Sequence, residues 1–377
     1  MGARERADSA MTAQAMEWRP TYDVHRSYDE NYTAGPAFAG PLPPERSGEP
    51  CASFLGHPVY TPLGVPAGPL LNSAWIALYA RLGFDLLTYK TVRSVARPAH
   101  PFPNCLYLDT PASLQEVDIG GVVLARGDQR HTPEQVTITN SFGMPSRAPA
   151  VWQADLERAL GTIGQGQVVI ASVVGTSGAG DLAVDFGRAV ALAAEVRPHA
   201  IEINLSCPNV RGGEGSLFQS PEAAERVVRR AWEAVGTTPL IIKIGYVVEE
   251  ASLAELMRRC GPYVQGVAGI NTIPMAVRDA AGGPALGSAA RLRAGVCGRA
   301  IRDLALRQVQ RLVDLRRRLG MGWTIIGVGG IFAAEDVDAH LHAGADAAMS
   351  ATGAMWNPLL AQQWWVASAT ASDQQKQ

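Results

Sequence analysis

The stretch that decides the fold is Ala200–Asn209, A-I-E-I-N-L-S-C-P-N. Its alternation sets Ile201, Ile203 and Leu205 on one face of a strand and Glu202, Asn204 and Ser206 on the other. An apolar outer face beneath helices and a polar inner face suit a strand of a closed parallel barrel. Pro208 cannot continue a central ladder, so Cys207 falls at the C-terminal end of the strand. In a βα barrel that end is the mouth, where catalytic groups collect. Three polar side chains and a thiol packed so tightly are costly for folding alone, which marks the stretch as an active site.

Outward from it, strand and helix patterns alternate. Strands are expected at 64–68, 86–92, 167–174, 200–206, 239–244, 266–272, 323–328 and 347–351, with helices between them. Eight strands over roughly 300 residues give an α/β chain folded as a (β/α)8 TIM barrel. A doubly wound open sheet would carry its glycine-rich phosphate loop after the first strand. Here the strong glycine signals follow the seventh and eighth. Residues 51–367 are assigned to the barrel, 1–50 to an N-terminal extension and 368–377 to a polar, frayed tail. The extension is rich in Pro, Gly and charge and shows no clear period. Trp18, Tyr22, Tyr28 and Tyr32 favour its partial docking over the barrel. Two long segments, 93–150 and 273–299, read as irregular insertions, the first covering the mouth.

Composition excludes several function classes. The 377 residues are 47% hydrophobic and 18% charged, with a formal net charge of −2. Nothing there draws the chain to nucleic acid or to an anionic membrane. No apolar run reaches membrane-spanning length, and the polar N-terminus lacks a secretory core, so a cytoplasmic protein is expected. Five scattered cysteines without a C-x-x-C pair argue against a metal or iron–sulfur site within the chain. Trp364–Trp365 stays open between core and an oligomer contact, so a homodimer is compatible with the sequence.

Gly327–Ile331, G-V-G-G-I, follows an apolar strand and opens a helix. With Thr352 and Gly353 after strand eight, Gly329 and Gly330 occupy the usual phosphate site of a barrel. The bland alternative is a tight βα turn. Lys90 and Lys243 sit in apolar strands at inward positions, and a buried lysine needs an anion or loses its charge. For Lys243 that anion is either an ion pair with Glu202 or the negative charge that a flavin ring collects on reduction. Asn140, Asn204, Asn209 and Asn271 recur at strand ends and could offer amides to a planar, polyamide ligand. Cys207 alone among the cysteines is read as a mouth thiol among polar groups.

These motifs together resemble the dihydroorotate dehydrogenases of the cysteine type. The likeness rests on I-N-L-S-C-P-N, T-Y-K-T (88–91), I-T-N-S-F-G-M-P (138–145), I-K-I (242–244), I-N-T (270–272), I-I-G-V-G-G-I (325–331) and A-T-G-A (351–354). The resemblance implies FMN in the barrel mouth. Ala67 and Gly68 would touch the flavin and Lys243 would lie beside its ring. Gly298 joins the cofactor set, with Gly329, Gly330, Thr352 and Gly353 at the phosphate. Lys90, Asn140, Asn204 and Thr272 would serve cofactor and substrate alike. Phe142, Gly143, Met144, Asn209 and Asn271 would complete the grip on a pyrimidine-like substrate. Cys207 would be the base that removes a proton from C5 as hydride leaves C6 for flavin N5.

The chain departs from the family in carrying Asn104 where arginine is frequent and Ser146 where asparagine follows G-M-P. The loop N-V-R-G-G-E-G leans toward dihydropyrimidine dehydrogenases, so a reductase of uracil-type substrates is the alternative. An alternative of another class is a flavin-free phosphate-binding lyase or isomerase. Any iron–sulfur relay would have to lie on a separate electron-transfer subunit.

Overall fold

Strand β9 (Ala200–Asn204) shows why the chain closes on itself in the computed structural model, which describes residues 20–46, 48–127, 132–206 and 216–374. Ile201 and Ile203 are fully buried in the core shared with the surrounding helices, whereas Ala200 joins a separate apolar cluster inside. β9 pairs in parallel with β8 (Val168–Val173) on one side and with β10 (Leu240–Lys243) on the other. The pairing continues through β11 (Gly266–Gly269), β14 (Thr324–Val328), β15 (Ala347–Met349), β3 (Leu63–Val65) and β4 (Leu86–Val92), which meets β8. Eight parallel strands thus close in chain order, as the (β/α)8 reading requires; the numbering counts every described strand.

The barrel interior changes character along its axis. Leu86, Ile170, Ile241, Ala268 and Ile326 fill its lower layers. Two residues further along their strands stand Thr88, Ser172 and Lys243, all buried, at the level of Glu202 and Asn204. A hairpin of β1 (Ala52–Phe54) and β2 (His57–Val59) plugs the lower end with Phe54 and Val59. Polar groups therefore concentrate at the C-terminal mouth, where water or a ligand can meet them.

The two segments read as irregular prove to be one structure. In the first, β5 (Cys105–Asp109) pairs with β6 (Val122–Arg126) and β7 (Thr137–Asn140); β6 and β7 in turn pair with β12 (Ile273–Arg278) and β13 (Arg293–Gly298) of the second, which pair with each other. They close into a second, five-stranded barrel. Asn140 of β7 pairs with Cys105 on one side and Gly295 on the other, so β7 is central. Local periodicity could not reveal strands whose partners are so remote in sequence.

The extension docks. Ser27 caps a helix, Tyr28–Ala34, through a capping box with Glu30. Tyr22 and Tyr28 are buried in the main core, while Trp18 lies outside the described residues. At the other end the helix Leu360–Gln374 continues past Ser368, where a frayed tail was expected. Trp364 is a core residue whose indole N–H donates to Asp338 at 2.8 Å. No helix among the described residues is long and apolar enough to cross a membrane.

Candidate active site

The polar upper layer of the barrel opens into a cavity of about 590 Å³, its open mouth included. Four strand ends supply its wall: Ala67 and Gly68 after β3, Lys243 on β10, Asn271 and Thr272 after β11, and Thr352 after β15. Asn140 and Phe142, on and after β7, face it from the second barrel. Eight residues assigned from sequence therefore meet around one space.

Lys243 is 2% exposed and stands in register with Asn204, two pairs beyond the Ile241–Glu202 pair. Burial pushes its ammonium below the usual lysine range, with the Glu202 charge acting in the opposite direction. Among the described residues the two form no ion pair: Glu202 instead accepts a hydrogen bond from Ser172 at 2.8 Å, and Ser172 meets Thr91 at 3.0 Å. A lysine buried at a cavity wall without a contacting carboxylate suits an anionic or electron-rich occupant. Thr272 Oγ1 and Thr352 Oγ1 point the same way. Both are buried without a hydrogen bond of ordinary geometry, Thr352 having only the weakly bonding Cys297 thiol beside it, and both belong to the wall. Orphaned hydroxyls are costly and call for a ligand that bonds them. The buried lysine and the unpartnered hydroxyls on one wall together fit a flavin.

Asn204 and Asn271 do not reach outward. Asn204 Oδ1 accepts from Ser206 N at 3.0 Å and from Asn271 Nδ2 at 3.4 Å, and Asn271 also donates to the Ser206 carbonyl. The pair ties the end of β9 to the segment after β11, immediately before Cys207. Cys207 and Asn209 themselves lie outside the described residues.

Other assigned residues stand apart from the cavity. Lys90 lines a narrower space beside Tyr28, Tyr32, Arg97 and Ser146. The Met144 carbonyl accepts from Arg93 Nε at 2.9 Å, and a Cβ on Gly143 would fall 2.5 Å from the His100 ring. Gly298, Gly329, Gly330 and Gly353 are required first by packing. A Cβ on Gly330, at φ +71°, would lie 2.3 Å from the Cβ of Arg302, and one on Gly353 would lie 1.8 Å from the Ile331 carbonyl oxygen. On Gly298 it would meet Val136 O at 2.4 Å, and on Gly329 the Ala305 Cβ at 2.9 Å. The turn Gly329–Gly330 thus answers to the tight-turn reading, its backbone approaching the helix Arg302–Leu319 closely, and none of these glycines lines the cavity. His340 supports this turn, its ring Nε2 donating to Gly329 O at 3.1 Å. Arg299 and Arg302 close on Asp336 behind it.

The expectation that a single cysteine reaches the mouth is corrected. Cys105 on β5 and Cys297 on β13 line the cavity, placed there by the strand pairing that sequence patterns missed. Burial pushes both thiols up, so they serve as neutral, largely apolar wall, with Asn140 donating to the Cys297 sulfur at 3.5 Å. Tyr22 from the extension is a further wall residue that sequence did not single out. Its signal was the nearby S-x-x-E box, which announced an ordered docked segment. The departures are also explained: Asn104 Oδ1 accepts from Tyr28 N at 3.0 Å, and Ser146 Oγ from Arg93 N at 3.0 Å.

The dihydroorotate dehydrogenase family model matches residues 128–363. The chain is 39% identical over 366 residues to the dihydroorotate dehydrogenase of Dictyostelium discoideum, covering 93% of this chain and 98% of that protein. A dihydroorotate dehydrogenase (quinone) of Bordetella pertussis is 26% identical over 358 residues, 92% of this chain and 90% of that one. A dihydroorotate dehydrogenase B (NAD(+)) catalytic subunit of Bacillus mycoides is 31% identical over 243 residues, 64% of this chain and 68% of that one.

Proposed function

The chain belongs to the dihydroorotate dehydrogenase family, flavin-dependent oxidoreductases acting on CH–CH bonds, and on that premise we propose that it oxidises dihydroorotate with FMN held in the barrel mouth. The observation that carries the reading is the convergence of Lys243, Thr272 and Thr352 on one cavity, a cation and two orphaned hydroxyls awaiting an oxygen-rich partner.

Bound there, the flavin supplies the hydride acceptor. Thr352 and the Gly329–Gly330 turn would hold its phosphate, Thr272 would bond the ring, and Lys243 would favour the charge of the reduced state. Asn140 and Phe142 would face the substrate from the second barrel. Cys207, three residues beyond Asn204 in the sequence, would take the proton from the substrate carbon. A thiolate can serve as base where amides and a cation favour its charge.

The test is anaerobic mixing of the yellow protein with dihydroorotate, with uracil-type compounds and with unrelated cyclic amides. Dihydroorotate alone should bleach the flavin. Cys207→Ser should keep the colour and slow bleaching by on the order of 10²-fold or more. Bleaching driven instead by reduced uracil-type rings, or equal rates in the variant, would sink the assignment.

A further inference from the structure

We infer that the N-terminal segment completes the cofactor cavity and that Tyr22 is a cofactor-contacting residue, its phenol hydroxyl donating to an oxygen acceptor of the bound flavin. The inference rests on the reading of the mouth cavity as the flavin site, and it adds a residue from outside the barrel.

Three features point to it. Tyr22 is 2% exposed and lines the cavity, yet its hydroxyl has no hydrogen-bond partner. Of the nine buried side-chain polar atoms left unpartnered among the described residues, three belong to hydroxyls of this one cavity: Tyr22, Thr272 and Thr352. Such groups are rare in folded proteins, and three around one space imply an occupant that satisfies them. Asn31 lies close enough to the phenol to pull its pKa down slightly, but makes no hydrogen bond of ordinary geometry to it, its amide being committed to Asp23, Arg26 and Ser27.

The ring cannot swing away to find another partner. Thr21 N donates to Met355 O at 3.0 Å, and Thr21 Oγ1 meets Tyr79 Oη at 2.7 Å. Tyr79 in turn donates to Ala354 O at 3.0 Å. These bonds bolt the segment to the helix Thr352–Trp356, which begins with Thr352 of the cavity wall. Phe142 packs edge-on against the Tyr22 ring at 5.7 Å, and Trp75 closes its other side at 6.2 Å. Asn104 fixes the next turn of the segment through Tyr28 N. Burial holds the phenol well above its ordinary pKa, so it remains a neutral donor at any working pH.

The chemistry separates this role from a structural one. Tyr22→Phe keeps the ring and its aromatic contacts and removes only the orphaned hydroxyl. In the flavin-free full-length protein that loss should leave the unfolding temperature unchanged or raised, because nothing in the protein bonds the group. FMN titrated into the same protein, followed by quenching of flavin fluorescence, should bind about 10-fold more weakly, as expected for one lost hydrogen bond. Thr352→Val, run beside it, reports on the cavity itself. Weaker FMN binding by Thr352→Val with Tyr22→Phe within about two-fold of wild type would overturn the Tyr22 role and leave the cavity reading standing. A lower unfolding temperature for flavin-free Tyr22→Phe would overturn it too, by showing that the hydroxyl serves the fold. Failure of the wild-type chain to take up FMN would remove the cavity reading and this inference together.

Discussion

Replacing Lys243 by methionine gives opposite results under the two roles open to that lysine. The side chain is 2% exposed, its ammonium is depressed by burial, and no carboxylate contacts it among the described residues. Methionine matches its length and fills the same space, so the variant leaves no large cavity. Withdrawing an ammonium from water costs several kcal/mol. The Glu202 charge returns less than the roughly 4 kcal/mol available to a pair at contact distance in an effective dielectric of 20. The difference leaves the flavin-free protein carrying a penalty of about 1–3 kcal/mol, so Lys243→Met should be more stable by that amount at pH 7. The sign also sets the pH dependence. A lysine depressed in the folded state binds its proton more readily when unfolded, so its cost is full at neutral pH. The cost shrinks as the pH rises toward the ordinary lysine value, and the advantage of the variant should shrink with it. Urea unfolding of flavin-free wild type, Lys243→Met, Glu202→Gln and the double variant measures both quantities. Loss of 3–5 kcal/mol in Lys243→Met, with a coupling of similar size to Glu202, is what a broken buried pair gives. That result would refute the cofactor role, because the lysine would already own its anion.

Two further perturbations address the glycine turn. Gly330→Ala puts a Cβ 2.3 Å from Arg302 at a left-handed φ of +71°, so urea unfolding of the flavin-free protein should show a loss of about 3 kcal/mol or more; unchanged stability would mean the glycine answers to a ligand alone. His340, buried and lowered from 6.5 to about 4 by desolvation, is neutral in the fold. Its unfolded form takes a proton first, so its contribution is complete above pH 6.5 and drains away as the pH falls toward 4. Between pH 7 and 4.5 the protein should lose about 2.5 kcal/mol through this residue, and His340→Gln should flatten that part of the curve.

The barrel was legible because its signals are local. Alternation in A-I-E-I-N-L-S set the inner and outer faces of β9, and the structure puts Ile201 and Ile203 outside and Glu202 and Asn204 within. The second barrel was not legible because its information is distributed. β5, β6 and β7 are short and flanked by Pro and Gly, and their sheet closes only where β6 and β7 find β12 and β13 far along the chain. One consequence fell on the site: Cys105 and Cys297 reach the cavity only through that pairing, so no inspection of their own neighbours could put them there. The extension was legible as a docked segment through its aromatics, but its helix was missed for a smaller reason: it has too few turns to show a period, although its capping box was in plain view.

Residue type alone could not say which neighbour Lys243 meets, and register does. In a parallel pair the directly opposed residue sets the nearest neighbour, and for Lys243 that is Asn204, with Glu202 two pairs further down. A shift of two residues in either strand would keep both side chains inward and bring the charges together. As built, Glu202 turns to Ser172 and Thr91, while Lys243 stands at the cavity with Thr272 and Thr352. The barrel therefore keeps its buried carboxylate satisfied within the wall and leaves a cation and unpartnered hydroxyls facing the space above. A fold selected for stability alone would have joined these groups to one another. Their separation is the physical reason to assign the mouth to a bound, oxygen-rich cofactor.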